Sequence, residues 1–480
     1  MRKLSPNRKN KINLEDYDYQ RDIENRLLMS QFSTFDVEVL EEILHSSLTI
    51  HLSDLAEALG QDLLPVMEVV DKLSQTKLVK RVGEVIEVDK EMRKYYEFQI
   101  LKFDDKFEPN MDFLQGLLRK VPIHALPIWY ATPRTATNIF DSIVERYLAT
   151  PRLYQRYLLE LNFEDPVLTG IMNDVFTAPD FTLRSRELRE KYHLTREEVE
   201  EVLLILEFNF ICCLSYRQIG DQWKEVVTPF YEWREFLRFQ RDTKPEPLPP
   251  EAAVEERRGG ALPFAKDLKI LLTYLLDHDL DIEEDFDAEL YRIDVATLEK
   301  LAKKGEGLTL KGEELERYFS WLIDKALLLN LAELDEEKLK ATDETEEWVT
   351  HPIEDQALAL YRHPDNTITT VPVSPSLSNE RNLREIEKAL FRCAGGDWVY
   401  FDDFLKGVYA PIGERSETSL RKKGRRWAYV RPTYSPEEKA FIQAAIMERF
   451  FEAGFVSTGL LGGRSCFRVT PFGRTMLSLV

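Results

Sequence analysis

Apolar positions in the stretch 32–46, FSTFDVEVLEEILHS, recur with helical spacing. Phe35, Val39, Leu40, Ile43 and Leu44 share one face, and Ser33 or Thr34 stands where an N-cap oxygen is needed. LSDLAEALG predicts a second short helix ended by Gly60. DLLPVMEVVDKLSQTK predicts a third, with Pro65 in its first turn, where a missing N–H costs little. In LVKRVGEVIEV two β-branched runs flank Gly83-Glu84, a two-residue loop suited to a type II′ turn. Three helices and a terminal hairpin predict a winged helix, an elaborated helix-turn-helix.

The same order returns along the chain. In 181–229 a short helix precedes one that Thr195 and Glu198 cap as a box, and two strands flank Gly220-Asp221. Residues 298–350 give a Leu-rich helix, an acidic loop and EEWVTHP. In the last hundred residues Ser435 caps a long helix with Pro436 at its first position and Glu438 completing the box, and FVSTGLLGGRSCFRVTP reads as a hairpin with Gly462-Gly463 at its tip. The sequence ATPR occurs at 131–134 and 149–152. Thr as cap and Pro at the first position predict that each copy starts a helix.

The fold class expected is therefore mainly α with small β-hairpins (α+β), as tandem winged-helix or helix-turn-helix domains joined by linkers. Pro-, Glu- and Gly-rich residues 242–263 and Pro-, Ser- and Thr-rich residues 363–380 suit linkers. The expected division is a basic N-terminal arm at 1–30, a winged helix at 31–98, a helical connector at 99–180 and a winged helix at 181–241. Beyond the 242–263 linker come an acidic winged-helix-like domain at 264–362, the 363–380 linker and a basic C-terminal winged helix at 381–480.

Charge sharpens this division. The chain carries a formal −21, but 381–480 holds 17 Lys/Arg against 11 Asp/Glu, whereas 281–360 holds 23 acids against 9 bases. An acidic body with a basic end will orient near a polyanion or a charged partner. Four cysteines, with no CxxC and two of them adjacent, fit neither a disulfide framework nor a zinc site, and point to a reducing, cytoplasmic compartment. No apolar run of membrane-spanning length occurs, so no membrane is expected.

Signatures of chemistry are sparse. GxxxxGK[ST], HExxH, GxSxG and a strand–GxGxxG–helix are all missing. His351, Glu354, Asp355 and His363 are conceivable metal ligands, but the helical-turn spacing of the first two is common by chance. No catalytic residue, metal or cofactor is expected. The third helices of the modules carry carboxylates where a groove reader needs cations or amides: Glu68 and Asp71; Glu197, Glu198, Glu200 and Glu201; Glu313, Glu314 and Glu316; and Glu437, Glu438, Glu448 and Glu452. The exception is a basic loop, TSLRKKGRRWAYVRPTYS. Arg421, Lys422, Lys423, Arg425, Arg426 and Arg431, with Arg464 and Arg468 on the wing, are candidates for one phosphate backbone, and Trp427 for stacking on a base. The same charge run also suits a clasp on the protein's own acidic region or on a partner.

DWVYFDDFLKGVY, FIQAAIMERFFEAGFVSTG and FRVTPFGRTML, with the acidic stretch LLLNLAELDEEKLKATDETEEWVTHPIEDQALAL, resemble the winged-helix region that precedes the motor in bacterial XPB-like helicases. The resemblance covers 250–480 and implies an accessory region for DNA transactions. Neither a Walker A sequence nor a DEAH-type box is present, so it implies positioning and no ATPase activity. The expected function is a non-enzymatic adaptor or regulator, with DNA met through the C-terminal domain and protein through the acidic modules. The alternative is a purely protein–protein scaffold or assembly factor.

Overall fold

A computed structural model of the chain describes residues 8–9, 11–133, 138–285, 290–305, 308–366, 368, 371–413, 417–424 and 426–477. It is a mixed α/β chain with small antiparallel sheets. Contacts divide it into two units. The first comprises Met1–Arg238 and Ser419–Val430, the second Phe239–Thr418 and Arg431–Val480.

In the first unit, helix α1 (Tyr19–Met29) lies within the stretch read as an N-terminal arm. Ile23, Arg26 and Met29 fall on one face and are buried. Then follow α2 (Thr34–His45), β1 (Thr49–His51), α3 (Leu52–Leu59), α4 (Leu63–Ser74), β2 (Val79–Val82) and β3 (Val85–Val88). Ser33 and Asp36 cap α2 reciprocally. The short β1 pairs with β3, giving the sheet order β1–β3–β2. The same succession recurs as α5 (Pro166–Thr177), β4 (Leu183–Arg184), α6 (Ser185–Tyr192), α7 (Arg196–Phe208), β5 (Cys212–Ile219) and β6 (Gln222–Pro229), in the order β4–β6–β5. The two repeats share one apolar core, from Met29 to Val227.

The second unit holds two more copies. One is α8 (Pro263–Leu275), β7 (Leu280–Asp285), β8 (Leu290–Ile293), α9 (Val295–Lys304), α10 (Glu313–Leu328), β9 (Ala332–Asp335) and β10 (Lys338–Ala341). Its sheet, β8–β7–β10–β9, adds one outer strand. The other begins with α11 (Glu380–Leu390), β11 (Val399–Tyr400) and α12 (Phe401–Lys406). The hairpin β12 (Ser419–Lys423) and β13 (Arg426–Val430), counted with the first unit, then interrupts it. It resumes with α13 (Pro436–Ala444), a π-helical turn at Ala445–Arg449 and a last turn at Phe450–Glu452, and ends in β14 (Val456–Leu461) and β15 (Arg464–Val469). The sheet order is again β11–β15–β14, extended by Glu255–Glu256 against β14. That short strand lies within the stretch read as the first linker.

Two local devices repeat in all four copies. Each closing hairpin has a two-residue loop, at 83–84, 220–221, 336–337 and 462–463. Each third helix is followed by one residue with positive φ: Lys77, Phe210, Asn330 and Gly454, two positions before the next strand. The apolar residue after it, Leu78, Ile211, Leu331 or Phe455, is buried. In the last three copies its N–H donates back to the helix, to the carbonyls of Leu206, Ala326 and Phe450 at 3.0, 2.9 and 2.8 Å. This is the Schellman arrangement, in which a left-handed residue turns the chain sharply enough to lay the strand on its own helix.

Of the two ATPR copies, the second starts a helix as expected, with Leu153 N–H donating to Thr150 Oγ1 and Pro151 at the first position. In the first, Thr132 and Pro133 lie in no helix, and the next helix among the described residues begins at Ile139 under the cap of Asn138. Arg134 lies outside the described residues.

Candidate nucleic-acid interface

The basic stretch is an ordered hairpin rather than a loop. Its register, from Ser419 opposite Val430 to Lys423 opposite Arg426, puts Leu420, Lys422, Trp427 and Tyr429 on one face. Arg421, Lys423, Arg426 and Ala428 take the other. The first face is anchored within the first unit. Leu420 N–H donates to the carbonyl of Ala149 at 2.7 Å, and Tyr429 Oη donates to that of Leu148 at 2.9 Å. The Tyr429 ring meets Trp233 and Phe236 edge-on at 6.4 and 5.7 Å. Burial pushes the Tyr429 phenol above its ordinary range. Lys422 Nζ lies 3.8 Å from Asp112, and Arg426 lies 3.7 Å from Glu108 and over the Tyr231 ring. Arg421 and Lys423 are exposed, with Arg421 Nε donating to Ser419 Oγ. Trp427 is half-buried, and Arg425 lies outside the described residues.

The remaining candidates belong to the second unit, and each guanidinium stacks on an aromatic ring there. Arg431 lies 3.9 Å from the centroid of Phe239, Arg464 3.7 Å from Tyr400 and Arg468 4.9 Å from Trp398. Arg464 also stands 3.8 Å from Asp402, and Arg468 donates to Glu256 at 3.2 Å. Stacking and pairing hold these side chains in place, and burial lowers the Arg431 pKa.

The third helices correct one expectation. Glu200, Glu438, Glu448 and Glu452, read as exposed carboxylates, are buried. Glu200 takes Arg26 Nε at 2.6 Å, while Arg26 Nη1 reaches Glu207 at 2.9 Å. Leu214 N–H and Lys102 complete the shell of Glu207 at 2.9 and 3.5 Å. Burial would raise the Glu207 pKa, but Arg26 and Lys102 hold it down at about 2. A second buried cluster ties α10 to the end of the fourth repeat's long helix. Lys325 meets Glu452 at 3.0 Å and Glu448 at 3.9 Å, Trp321 Nε1 donates to Glu452 at 2.7 Å, and Asn366 bridges Lys325 and Glu452. Asn366 itself lies in the stretch read as the second linker. A carboxylate with a cation at hydrogen-bond distance can be buried, and sequence shows only the carboxylate. Past their first turns α7 and α10 offer almost no free face, so a duplex groove has little of them to meet. Only α4 keeps an open flank, with Leu63, Leu64, Glu68 and Asp71 exposed.

The four cysteines are buried and unpaired, and burial pushes the Cys213 and Cys393 thiols up to about 12. Among the described residues no group of three or more His, Cys, Asp or Glu is placed to hold a metal ion. Among them, too, no helix is long and apolar enough to cross a membrane. No family model and no curated protein matches the chain.

Proposed function

We propose that this chain is a non-enzymatic adaptor or regulator in DNA transactions, built from four winged-helix modules. It would meet nucleic-acid phosphates through the 419–430 hairpin and protein through its acidic surfaces. The winged-helix reading rests on the helix–strand–helix–helix–hairpin order and on the pairing of the short first strand with the last. The phosphate reading rests on one observation: the hairpin is pinned by Leu420 and Tyr429 on one face while Arg421 and Lys423 stand exposed on the other. A pinned cation loses less conformational entropy on binding than a floppy one. Contact of this kind positions a duplex or single strand without reading its sequence. Four buried thiols suit a reducing, cytoplasmic compartment.

A second reading, a protein–protein scaffold with no nucleic-acid contact, is favoured by Lys422 and Arg426, which already face Asp112 and Glu108. Fluorescence anisotropy with duplex and single-stranded DNA across a salt series separates the two. The adaptor reading requires binding that falls steeply with salt, and a shallower slope in Arg421→Ala/Lys423→Ala, by about one charge for each cation removed. No binding at low salt leaves the scaffold.

A further inference from the structure

The second repeat holds a cleft whose charge runs against that of the chain. It has a volume of about 410 Å³ and opens beside the first turns of α6 and α7 and the strand β6. Arg184, Arg189, Arg196 and Lys224 line it. None of the four makes an ion pair among the described residues, whereas Arg186, also at the cleft, is engaged by Glu190 at 2.7 Å. Cations gathered without counter-ions cost self-repulsion, a cost that an anionic ligand reverses.

The floor adds a second, independent observation. Trp223 lines the cleft, is only 7% exposed, and its Nε1–H has no acceptor among the described residues. An indole nitrogen only donates, and a buried donor left unmet costs about 1–3 kcal/mol in general. The two carboxyls at the cleft do not cancel its cations. Glu200 is held by Arg26 at 2.6 Å. Burial and the neighbouring Glu200, with which it shares a hydrogen bond, push Glu225 up to about 8, so at neutral pH it is mostly protonated and adds little negative charge to the cleft. Three arginines and a lysine around a buried, unmet N–H call for a ligand that accepts, with several oxygens and more than one negative charge.

From this arrangement we infer that the cleft between Arg184, Arg189, Arg196 and Lys224 binds a phosphate monoester of nucleotide size. A doubly charged phosphate satisfies several arginines at once, in the paired geometry for which guanidinium is suited. The volume falls within the range of roughly 300–1,000 Å³ usual for small-molecule sites and leaves room for more than a bare phosphate. The partly exposed Ile219, with Leu27 and Val199, supplies an apolar wall for the organic part. The phosphate could come from a free nucleotide or from the phosphorylated end of a strand. The site does not depend on the hairpin.

The test follows one atom. The chain has seven tryptophans, and the indole N–H signal of Trp223 in a nitrogen–proton correlation spectrum is assigned by its loss in Trp223→Phe. Titration at fixed ionic strength with inorganic phosphate, AMP, and an oligonucleotide with a 5′-phosphate or a 5′-hydroxyl should move that signal for inorganic phosphate and for both phosphate monoesters, and leave it still for the hydroxyl strand. AMP binding by calorimetry should weaken at least about tenfold in Arg184→Ala/Arg189→Ala/Arg196→Ala. It should be unchanged in Arg421→Ala/Lys423→Ala, so loss of the hairpin's DNA binding leaves this site standing. Tighter binding of the 5′-phosphorylated strand than of AMP assigns a strand end, and the reverse assigns a free nucleotide. A silent Trp223 signal at millimolar AMP, or equal AMP binding by the triple variant, overturns the assignment.

Discussion

Lys325 Nζ lies 3.0 Å from Glu452 Oε1, with the two side chains 2% and 0% exposed. The pair joins the third helix of one repeat to that of the next, so positions a groove reader would turn outward serve here as internal glue. Burial still dominates at Glu452, whose pKa is raised despite the ammonium beside it. Lys325→Met should cost about 3–5 kcal/mol, because it strands two buried carboxylates. Lys325→Met/Glu452→Met should recover much of the loss. Urea unfolding of the three proteins measures both, and equal losses in the single and double variants would refute the pairing argument.

Arg26 serves the first unit in the same way, and it gives that unit an acid-sensitive joint. Glu207 is held at about 2 when folded against an ordinary 4.5, so its contribution is complete above 4.5 and fades as pH falls toward 2. Glu207→Gln should therefore lose stability near neutrality and converge with the wild type near pH 2. Thermal unfolding across that range decides, and a constant gap between the two proteins would count against the linkage.

The opposite sign holds at Glu225. Its folded carboxyl keeps its proton up to about 8, while in the unfolded chain it ionises near 4.5. The stability it favours is present below 4.5 and is withdrawn as pH rises through 8. Glu200, Arg26, Arg196 and Tyr216 are the charged or titratable groups that feel it. Glu225→Gln should be the more stable protein above pH 8, by on the order of 1–3 kcal/mol. Denaturant midpoints at pH 5.5 and 8.5 test this, and the expected result is a smaller fall between them in the variant.

The left-handed residues behind the third helices make a prediction of their own. Lys77 is exposed with φ +63°, so Lys77→Gly should stabilise by about 0.5–1 kcal/mol. Gly454 has φ +71°, and a Cβ there would stand 2.2 Å from Leu262 Cδ2. Gly454→Ala should destabilise by more than about 2 kcal/mol, from strain and overlap together. Opposite shifts in melting temperature are the expected outcome.

The hairpin's anchor can be loosened in steps. Tyr429→Phe removes the bond to Leu148 and should cost about 1 kcal/mol, while Tyr429→Ala also opens the aromatic contact with Phe236 and should cost about 3–5 kcal/mol. Amide exchange at Leu420 reports the anchoring directly, since its N–H donates to Ala149. Exchange unchanged in Tyr429→Ala would show that the tyrosine does not hold the hairpin.

Sequence revealed these elements where glycine and caps spell them out. Gly83, Gly220 and Gly462-Gly463 mark three of the four closing turns, and Ser435 with Glu438 marks the start of the last long helix. The third repeat was legible only in outline, because its turn rests on Glu336 at φ +57° and its first strand, LDIEED, is mostly charge. The basic hairpin hid behind its cations, although Gly424 has positive φ at the turn and Leu420, Trp427 and Tyr429 mark one face. The cleft of the second repeat was missed for a related reason. Its helices alternate Arg with Glu, and only the three-dimensional arrangement shows which arginines lack a partner. Arg26 and Lys325 carried no signal, because a buried cation is defined by what surrounds it.

The hairpin also sets a timetable for synthesis. Strands β12 and β13 belong to the first unit, yet they are translated long after Arg238. At about 5–20 residues per second the ribosome takes roughly 10–40 s to travel from one to the other. Through that interval the carbonyls of Leu148 and Ala149 wait without the donors that later cover them. The first half of this protein is thus begun early and finished late, a vulnerable nascent state that a chaperone would have time to find.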